Sequence, residues 1–214
     1  YFTGGANADE EYIWMKDYLQ LDGLCYKFIP VKTKNNGSMF DMGKIYTDSM
    51  YEKVLRWDWT EINSKDIYLD VESRKNSISF RNNLLRLTES LIAENKFDKA
   101  EEILDLSLAE MPIEDYGHYV ICLGYPEYYY QIGKPEKARV VCDTLIKIFQ
   151  EKLVYYSRFD ESWLNLTFDE IERNLNMYRS VMRDIDSNDP DETYKTNSEQ
   201  DFIHHVKLFQ SLME

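Results

Sequence analysis

The sequence predicts a mainly α fold built from helical hairpins, with a small α/β segment at the N-terminus. Three observations support this prediction. The stretch Phe80–Pro112 carries apolar residues at the i, i+3, i+4, i+7 spacing of two short amphipathic helices. A similar stretch follows around Ala138. The segment Leu24–Val31 alternates and is rich in strand-forming residues, which is typical of a β-strand.

The first 72 residues combine both kinds of element. Tyr1–Asn7 contains glycine and is expected to be irregular or a short edge strand. Glu10–Leu21 has the apolar spacing of an amphipathic helix, and Gly23 ends that pattern. Leu24–Val31 is the strand, ended by its proline. Helical spacing resumes over Asp41–Arg56.

The first hairpin follows, and its long first helix is expected to start near Arg74 with Ser73 as the N-cap. Asn95 and Lys96 separate the two helices, and Pro112 ends the unit. The small Ala100 lets the helices approach closely. The residues predicted to pack between them are Leu84, Leu87, Leu91, Ile92, Ala100, Ile103, Leu104 and Leu108.

A second hairpin repeats this order. Ala138 lies 38 residues after Ala100 in a similar local sequence, close to the roughly 34-residue period of tetratricopeptide repeats. Tyr116–Ile132 is the partner helix, and Pro126 predicts a kink or break within it. The order predicts a tetratricopeptide-like α-α superhelix, an architecture that usually serves as a scaffold for binding.

Capping helices complete the chain. Thr167 and Glu170 have capping-box spacing, and an apolar stripe then follows at Ile171, Leu175, Tyr178, Met182 and Ile185. The polar stretch Ser187–Thr196 is expected to be a loop before a last helix. The predicted organisation is therefore an N-terminal mixed segment (1–72), two hairpins (73–158) and capping helices (159–214), packed as one compact unit.

The composition restricts the function. The 214 residues carry a formal charge of −14, and such a surface repels nucleic-acid phosphates and anionic lipid headgroups. No apolar run approaches the roughly 20 residues needed to cross a bilayer, so no direct membrane insertion is expected. The chain starts at Tyr1 without a visible signal peptide, which suggests a piece excised from a longer protein.

No motif marks a reactive site. The three cysteines have no zinc-ligand spacing and are expected to be buried thiols, with a Cys122–Cys142 bridge as the alternative. The histidines suit structural roles, so neither a metal nor a cofactor is expected. Asp66 and Asp70 are the carboxylate pair to inspect for glycoside hydrolysis, against a plain solvated loop. No catalytic residue is assigned.

Aromatic residues crowd the second hairpin. Successive tyrosines on one helix cannot all face the core, so some are expected to line a groove that suits a peptide or a sugar, with inter-helix packing as the alternative. Two arginines seven residues apart share a helix face and suit an anionic group, with ion pairing as the alternative. The tentative binding residues are Tyr125, Tyr128, Tyr129, Arg74 and Arg81.

The runs Tyr18–Thr33, Ile45–Trp59 and Ile67–Leu104 resemble the C-terminal region of a bacterial family of multi-spanning membrane proteins of uncharacterised function. The N-terminal half of that family is similar to protein O-mannosyltransferases. The resemblance covers about residues 1–160, and residues 161–214 have no counterpart in it.

The resemblance implies a domain on the extracytoplasmic side of the inner membrane, behind a membrane domain that carries any sugar-transfer carboxylates. The expected function is a non-catalytic accessory domain of a glycosyltransferase-like protein. It would bind a peptide, glycan or protein partner, or brace the membrane domain of the same chain. The alternatives are a self-sufficient carbohydrate-active enzyme with a carboxylate pair and a structural module for homo-oligomers.

Overall fold

The computed structural model describes residues 1–3, 13–33, 42–59 and 67–209. Helices dominate it, and a small four-stranded sheet lies near the N-terminus. This confirms the predicted mainly α fold with a small α/β segment. The chain divides into two compact units, Tyr1–Tyr116 and Gly117–Glu214. The two hairpins fall in different units, so their stacking into a superhelix stays a prediction.

The sheet of the first unit has the strand order β1-β3-β2-β4. Its strands are β1 (Phe2–Thr3), β2 (Leu19–Asp22), β3 (Cys25–Phe28) and β4 (Lys44–Ile45). β3 pairs antiparallel with β1 and β2, and β4 pairs parallel with β2. The strand predicted over 24–31 is therefore confirmed as β3. Gly23 turns the chain between β2 and β3 with a φ of +77°, a conformation that favours glycine.

The helix predicted over Glu10–Leu21 is only partly correct where the structure describes it. Ile13–Tyr18 forms a 3₁₀ helix, and the next four residues form β2; residues 4–12 lie outside the described part. Leu19 and Leu21 are both fully buried, and β2 is held by ladders on two sides. Strand pairing therefore overrides a helical spacing that is short and local.

The first hairpin is confirmed. It consists of α2 (Val71–Ala93) and α3 (Phe97–Glu110), which pack against each other. Asn95 has a left-handed φ of 58°, and the amides of Asn95 and Lys96 donate to the carbonyls of Ile92 and Leu91. This pair of bonds is a Schellman motif, which satisfies the last carbonyls of α2. The sequence signal at 95–96 thus marks a defined helix end.

Two helix starts in the first unit differ from the prediction. α2 begins at Val71 because Asp70 is the N-cap, and its carboxylate accepts the amide of Ser73 at 2.8 Å. Ser73 is therefore the third residue of the helix. α1 (Thr47–Val54) is shorter than the predicted helix over 41–56, since Lys44–Ile45 pairs into the sheet. The short helix α4 (Ile113–Tyr116) closes the unit.

The core of the first unit lies between the two hairpin helices. Six of its apolar residues are 0–1% exposed, and burial of each leucine or isoleucine among them stabilises the fold by about 1.5–3 kcal/mol through removal from water. They are Leu84, Leu87 and Leu91 on α2 and Ala100, Ile103 and Leu104 on α3. These positions match the predicted interface, whereas Ile92 and Leu108 are only partly buried.

The second unit contains the other hairpin and the C-terminal helices. Its helices are α5 (Tyr119–Cys122), α6 (Gly124–Gln131), α7 (Pro135–Tyr156), α8 (Glu161–Leu166), α9 (Phe168–Asn188) and α10 (Glu192–Lys207). α6 and α7 pack together. Gly133 ends α6 with a φ of +74°, and the amides of Gly133 and Lys134 donate to Tyr130 and Tyr129. Both hairpins therefore turn through the same Schellman motif.

The helix predicted over Tyr116–Ile132 is broken, but not at Pro126. His118 is left-handed with a φ of 54° before α5, and α6 starts at Gly124. Pro126 lies in the first turn of α6, where its missing N–H removes no helical hydrogen bond. The predicted interruption is confirmed, and one of its two breaks lies at Leu123, next to the Cys122 carbonyl, to which Pro126 cannot donate.

Two predictions near the C-terminus are wrong. Thr167 precedes α9, yet its hydroxyl donates to the carbonyl of Trp163 at 2.9 Å and makes no cap bond to α9. The expected loop 187–196 shrinks to three residues between α9 and α10. Asp191 caps α10 by accepting the amides of Thr193 and Tyr194, so acidic residues that suggest a loop instead start a helix.

The predicted apolar stripe on α9 supplies much of the core of the second unit. Ile171, Tyr178 and Ile185 are 0–2% exposed. Met182 is only half-buried, and Val181 is fully buried in its place. Tyr178 accepts a hydrogen bond from Gln150 of α7 at 3.0 Å, so α9 is joined to α7 by a polar contact as well as by packing.

Candidate interaction surface

The predicted tyrosine groove is largely closed. Tyr125 and Tyr129 are one helical turn apart on α6 and are 0% and 1% exposed. A ring with so little exposed surface cannot contact a ligand unless the helices separate. Tyr128, on another face of α6, is half-buried. Packing between helices therefore accounts for two of the three tyrosines.

The next tyrosine on α6 belongs to a buried polar network. The hydroxyl of Tyr130 donates to Asp189, and Arg139 of α7 makes a bidentate ion pair with the same carboxylate at 2.7 and 2.8 Å. The side chain of Asp189 is fully buried. Burial alone would raise the pKa of Asp189, but the bonds from Arg139, the Asp191 amide and Tyr130 hold it below its usual value. This network joins α6, α7 and the start of α10.

The two arginines bind backbone carbonyls. Arg74 donates from Nε to the carbonyl of Leu69 at 2.9 Å. Arg81 is fully buried, donates to the carbonyl of Met111 at 2.8 Å and lies over the ring of Tyr116. A cation at a helix C-terminus is favourable, and α3 ends at Glu110. Both arginines lie in the first unit, whereas the three tyrosines lie in the second.

An exposed aromatic patch, formed by Tyr155, Tyr156, Phe159 and Trp163, lies elsewhere in the second unit. Tyr155 and Trp163 are 59% and 58% exposed, although both are large aromatic residues. Ring contacts connect the whole set, with centroids 5.0 Å apart for Tyr155–Phe159 and 6.3 Å for Phe159–Trp163. Single exposed apolar residues are ordinary, whereas a contiguous set is a candidate for an interaction surface.

Local structure explains why the patch faces solvent. α7 ends at Tyr156, and Asp160 caps α8 by accepting the amide of Trp163 at 3.0 Å. The short α8 has no buried residue, so it presents Trp163 outward. Leu166 is one turn further on and 74% exposed, which extends the apolar surface. The tandem tyrosines 155–156 were the available sequence signal, whereas Phe159 and Trp163 gave no periodic pattern.

Several charged groups border the patch. Glu170 faces Tyr156, whose pKa is raised by burial and by that neighbouring carboxylate. Glu170 is also paired with Arg173 at 2.8 Å. Lys152 lies over the ring of Tyr119 at 4.4 Å, and burial lowers its pKa. Two bordering cations are thus already engaged by intramolecular contacts.

Other residues were candidates for a disulfide, for catalysis or for metal binding, and Cys122, Cys142 and Asp70 among them have structural roles instead. Cys122 and Cys142 are buried free thiols, so the alternative of a bridge between them is wrong. Asp70 caps α2, and its possible partner Asp66 lies outside the described residues. The structure shows no group of three or more metal-ligating side chains within its described ranges. Grooves along α9 contain the acids Asp169, Glu172, Asp186 and Glu199, and all four are solvent-exposed.

Asp184 makes the stability of the second unit pH-dependent. Its pKa is raised to about 6 by burial and by the charge of Glu127, although Arg183 opposes the shift. Because the folded state holds this proton more tightly than the unfolded state, stability falls as pH rises from about 4 to about 6. Asp184→Asn is expected to remove this slope and gain about 1 kcal/mol at pH 7, after allowance for solvent screening.

Urea unfolding of both proteins at pH 4.5 and at pH 7 measures the effect. Asp186→Asn, an exposed position on the same helix, is the matched control and should leave the slope unchanged. A constant difference between Asp184→Asn and the parent protein at the two pH values would contradict the prediction.

No helix in the part of the chain that the structure describes is long and apolar enough to cross a membrane. Comparison with curated proteins and with solved structures found no match. Residues 1–49 match the family model of TMEM260-associated domain 2. This range contains the four strands found among the described residues and the first residues of α1, so the N-terminal sheet segment is similar to TMEM260-associated domain 2.

Proposed function

We propose that this chain is a non-catalytic interaction domain that binds a protein partner through the aromatic patch. The exposed rings of Tyr155 and Trp163, which both contact the half-buried ring of Phe159, are the observation that supports it. Aromatic residues supply most of the binding energy in many protein interfaces, because they bury a large apolar area with few rotatable bonds. The buried networks of both units hold structure and leave this patch as the candidate contact surface.

The ring geometry favours a protein partner over a glycan. Successive rings in the patch are inclined to each other by 59–82°. A sugar stacks its flat face on an aromatic face, so a glycan chain suits rings that lie in one plane. Inclined rings enclose small recesses between them, which suit the branched side chains of a peptide or protein.

The catalytic alternative has less support. A glycosidase needs two carboxylates about 5–10 Å apart with one kept protonated by its surroundings. The acids along the α9 grooves are exposed to solvent, which does not favour a protonated acid at neutral pH.

The parent protein is proposed to be a membrane protein. The match of residues 1–49 to a TMEM260-associated domain supports that context through the family's name. The resemblance described above adds a glycosyltransferase-like parent and an extracytoplasmic location to the proposal. The repeated Schellman turns at Asn95 and Gly133 support tetratricopeptide-like hairpins. On this view the chain is an accessory domain that brings a partner to its membrane domain.

Site-specific photocrosslinking in the cells that naturally produce this protein tests the proposal. A photoreactive phenylalanine analogue at Tyr155 is expected to give one discrete adduct. The same analogue at Val140, 66% exposed on the same helix, is the control and should give none. Equal adducts at both positions, or none at Tyr155, would remove the support for the patch as a binding surface.

Trp163→Ser should separate binding from folding. Trp163 is more than half exposed, so the free energy of unfolding should change by no more than about 1 kcal/mol. Loss of a central aromatic should weaken partner binding by about 2 kcal/mol or more, which is at least about thirtyfold. Disappearance of the Tyr155 adduct with an unchanged urea midpoint is the expected result. An adduct of undiminished yield would show that Trp163 does not contact the partner.

A further inference from the structure

The border of the aromatic patch is acidic. Between residues 151 and 173 the chain has six acidic residues and three basic residues. Of the three basic residues, Lys152 lies over Tyr119, and Arg173 is paired with Glu170. Arg158 is exposed beside Phe159. Glu161 and Asp169 are both exposed and form no ion pair with another residue that the structure describes. The chain segment that carries the apolar surface therefore has a net negative charge.

A second copy of the chain fits this surface poorly. In a two-fold dimer the same patch meets itself, so each acidic border would face another acidic border. Like charges placed opposite each other at an interface cost several kcal/mol. The whole chain, at −14, adds a repulsion of the same sign. Charge complementarity instead favours a positively charged occupant.

Resting on the function proposed above, we infer that the partner segment is cationic and amphipathic. Its apolar residues cover the rings of Tyr155 and Trp163, and its lysines or arginines face Glu161 and Asp169. The apolar contacts fix the position of the segment. The charge pairs favour a positively charged segment over a negatively charged one and increase the association rate.

Two designed peptides test the sign of the charge. They share the same leucine positions along an amphipathic helix and differ only in lysine or glutamate at every polar position. Titration calorimetry with the full 214-residue chain should show binding of the lysine peptide, with the glutamate peptide at least about tenfold weaker. Raising the ionic strength from about 0.1 M to about 1 M shortens the screening length from about 10 Å to about 3 Å and should weaken lysine-peptide binding.

Substitutions in the chain test where the lysine peptide binds. Trp163→Ser should weaken binding of the lysine peptide at least about tenfold, whereas Val140→Ser should leave its affinity unchanged. The double variant Glu161→Gln/Asp169→Asn should weaken it about three- to tenfold. The matched control, Asp186→Asn/Glu199→Gln, removes the same charge from exposed positions elsewhere in the unit and should have less effect.

The outcomes separate the two proposals. If both peptides bind the patch equally, with equal sensitivity to Trp163→Ser, the inference of a cationic partner is wrong and the binding function stands. If the lysine peptide binds but Trp163→Ser has no effect, attraction to the acidic chain is nonspecific and the inference is overturned. If neither peptide binds and the Tyr155 crosslink is also absent, both proposals fail.

Discussion

Replacing Asp189 with alanine is expected to lower the free energy of unfolding of the second unit by about 3–5 kcal/mol. The change leaves Arg139 without the bidentate partner that holds it at 2.7 and 2.8 Å and leaves the hydroxyl of Tyr130 without its acceptor. The side chain of Asp189 is fully buried and that of Arg139 three-quarters buried. Arg139 keeps only the longer contact to Asp191, at 3.8 Å. A largely buried charge that has lost its bidentate partner costs far more than an exposed ion pair contributes.

Urea unfolding followed by circular dichroism measures the loss, and hydrogen exchange of α7 and α10 amides assigns it to this network. Asp186→Ala, an exposed acid three residues earlier, should change stability by less than about 0.5 kcal/mol. The double variant Arg139→Met/Asp189→Leu should recover much of the loss, because it removes both charges and keeps apolar volume. A loss from Asp189→Ala no larger than that from Asp186→Ala would show that the network contributes little.

The same network has a predictable response to acid. Because the pKa of Asp189 is below its usual value in the folded state, its contribution is present above pH 4 and is lost as pH falls through the folded pKa. Asp184 changes stability in the opposite direction, since its pKa is raised to about 6. The free energy of unfolding of the second unit should therefore fall as the pH is lowered into strong acid, because of Asp189. It should also fall as the pH is raised from about 4 to about 6, because of Asp184. The Asp184→Asn comparison isolates the second decline.

Helical spacing predicted the elements that are long and locally determined. Most of the buried positions of the first hairpin lie where the apolar pattern places them, including Leu84 and Ala100, and Ala138 of the second hairpin is buried as well. Both turns are encoded by residues that tolerate a left-handed backbone, Asn95 and Gly133. These features depend on residues within one or two helical turns, and such patterns are visible in a single sequence.

Elements that depend on distant partners were predicted poorly. β2 begins inside a segment with helical apolar spacing and is a strand because β3 and β4 pair with it. Asp189 appears as one of several acids in a polar stretch, and its burial depends on Arg139, 50 residues away. Tyr125 and Tyr129 were assigned to a groove because aromatic density does not show which face of a helix is covered. Such contacts are set by the tertiary fold.

Replacing Arg86 with methionine is expected to destabilise the first unit by about 2–4 kcal/mol. Arg86 is a buried residue of α2 whose guanidinium donates to the carbonyl of Met42 at 2.7 Å, to that of Gly43 at 3.3 Å and to the hydroxyl of Tyr26 at 3.4 Å. Methionine keeps apolar volume but provides no donor, so buried carbonyls lose a charged partner.

Urea unfolding measures the loss, and hydrogen exchange at Leu21 and Ile45, which are paired between β2 and β4, shows whether it reaches the sheet. Arg74→Met, on the same helix with one bond to a backbone carbonyl, is the control and should cost about 1 kcal/mol or less. Arg86→Lys should fall between the two, because an ammonium lacks the planar fork that serves several acceptors at once. Equal losses for Arg86→Met and Arg74→Met would mean that the sheet segment, the region similar to TMEM260-associated domain 2, is held to α2 by apolar packing rather than by this guanidinium.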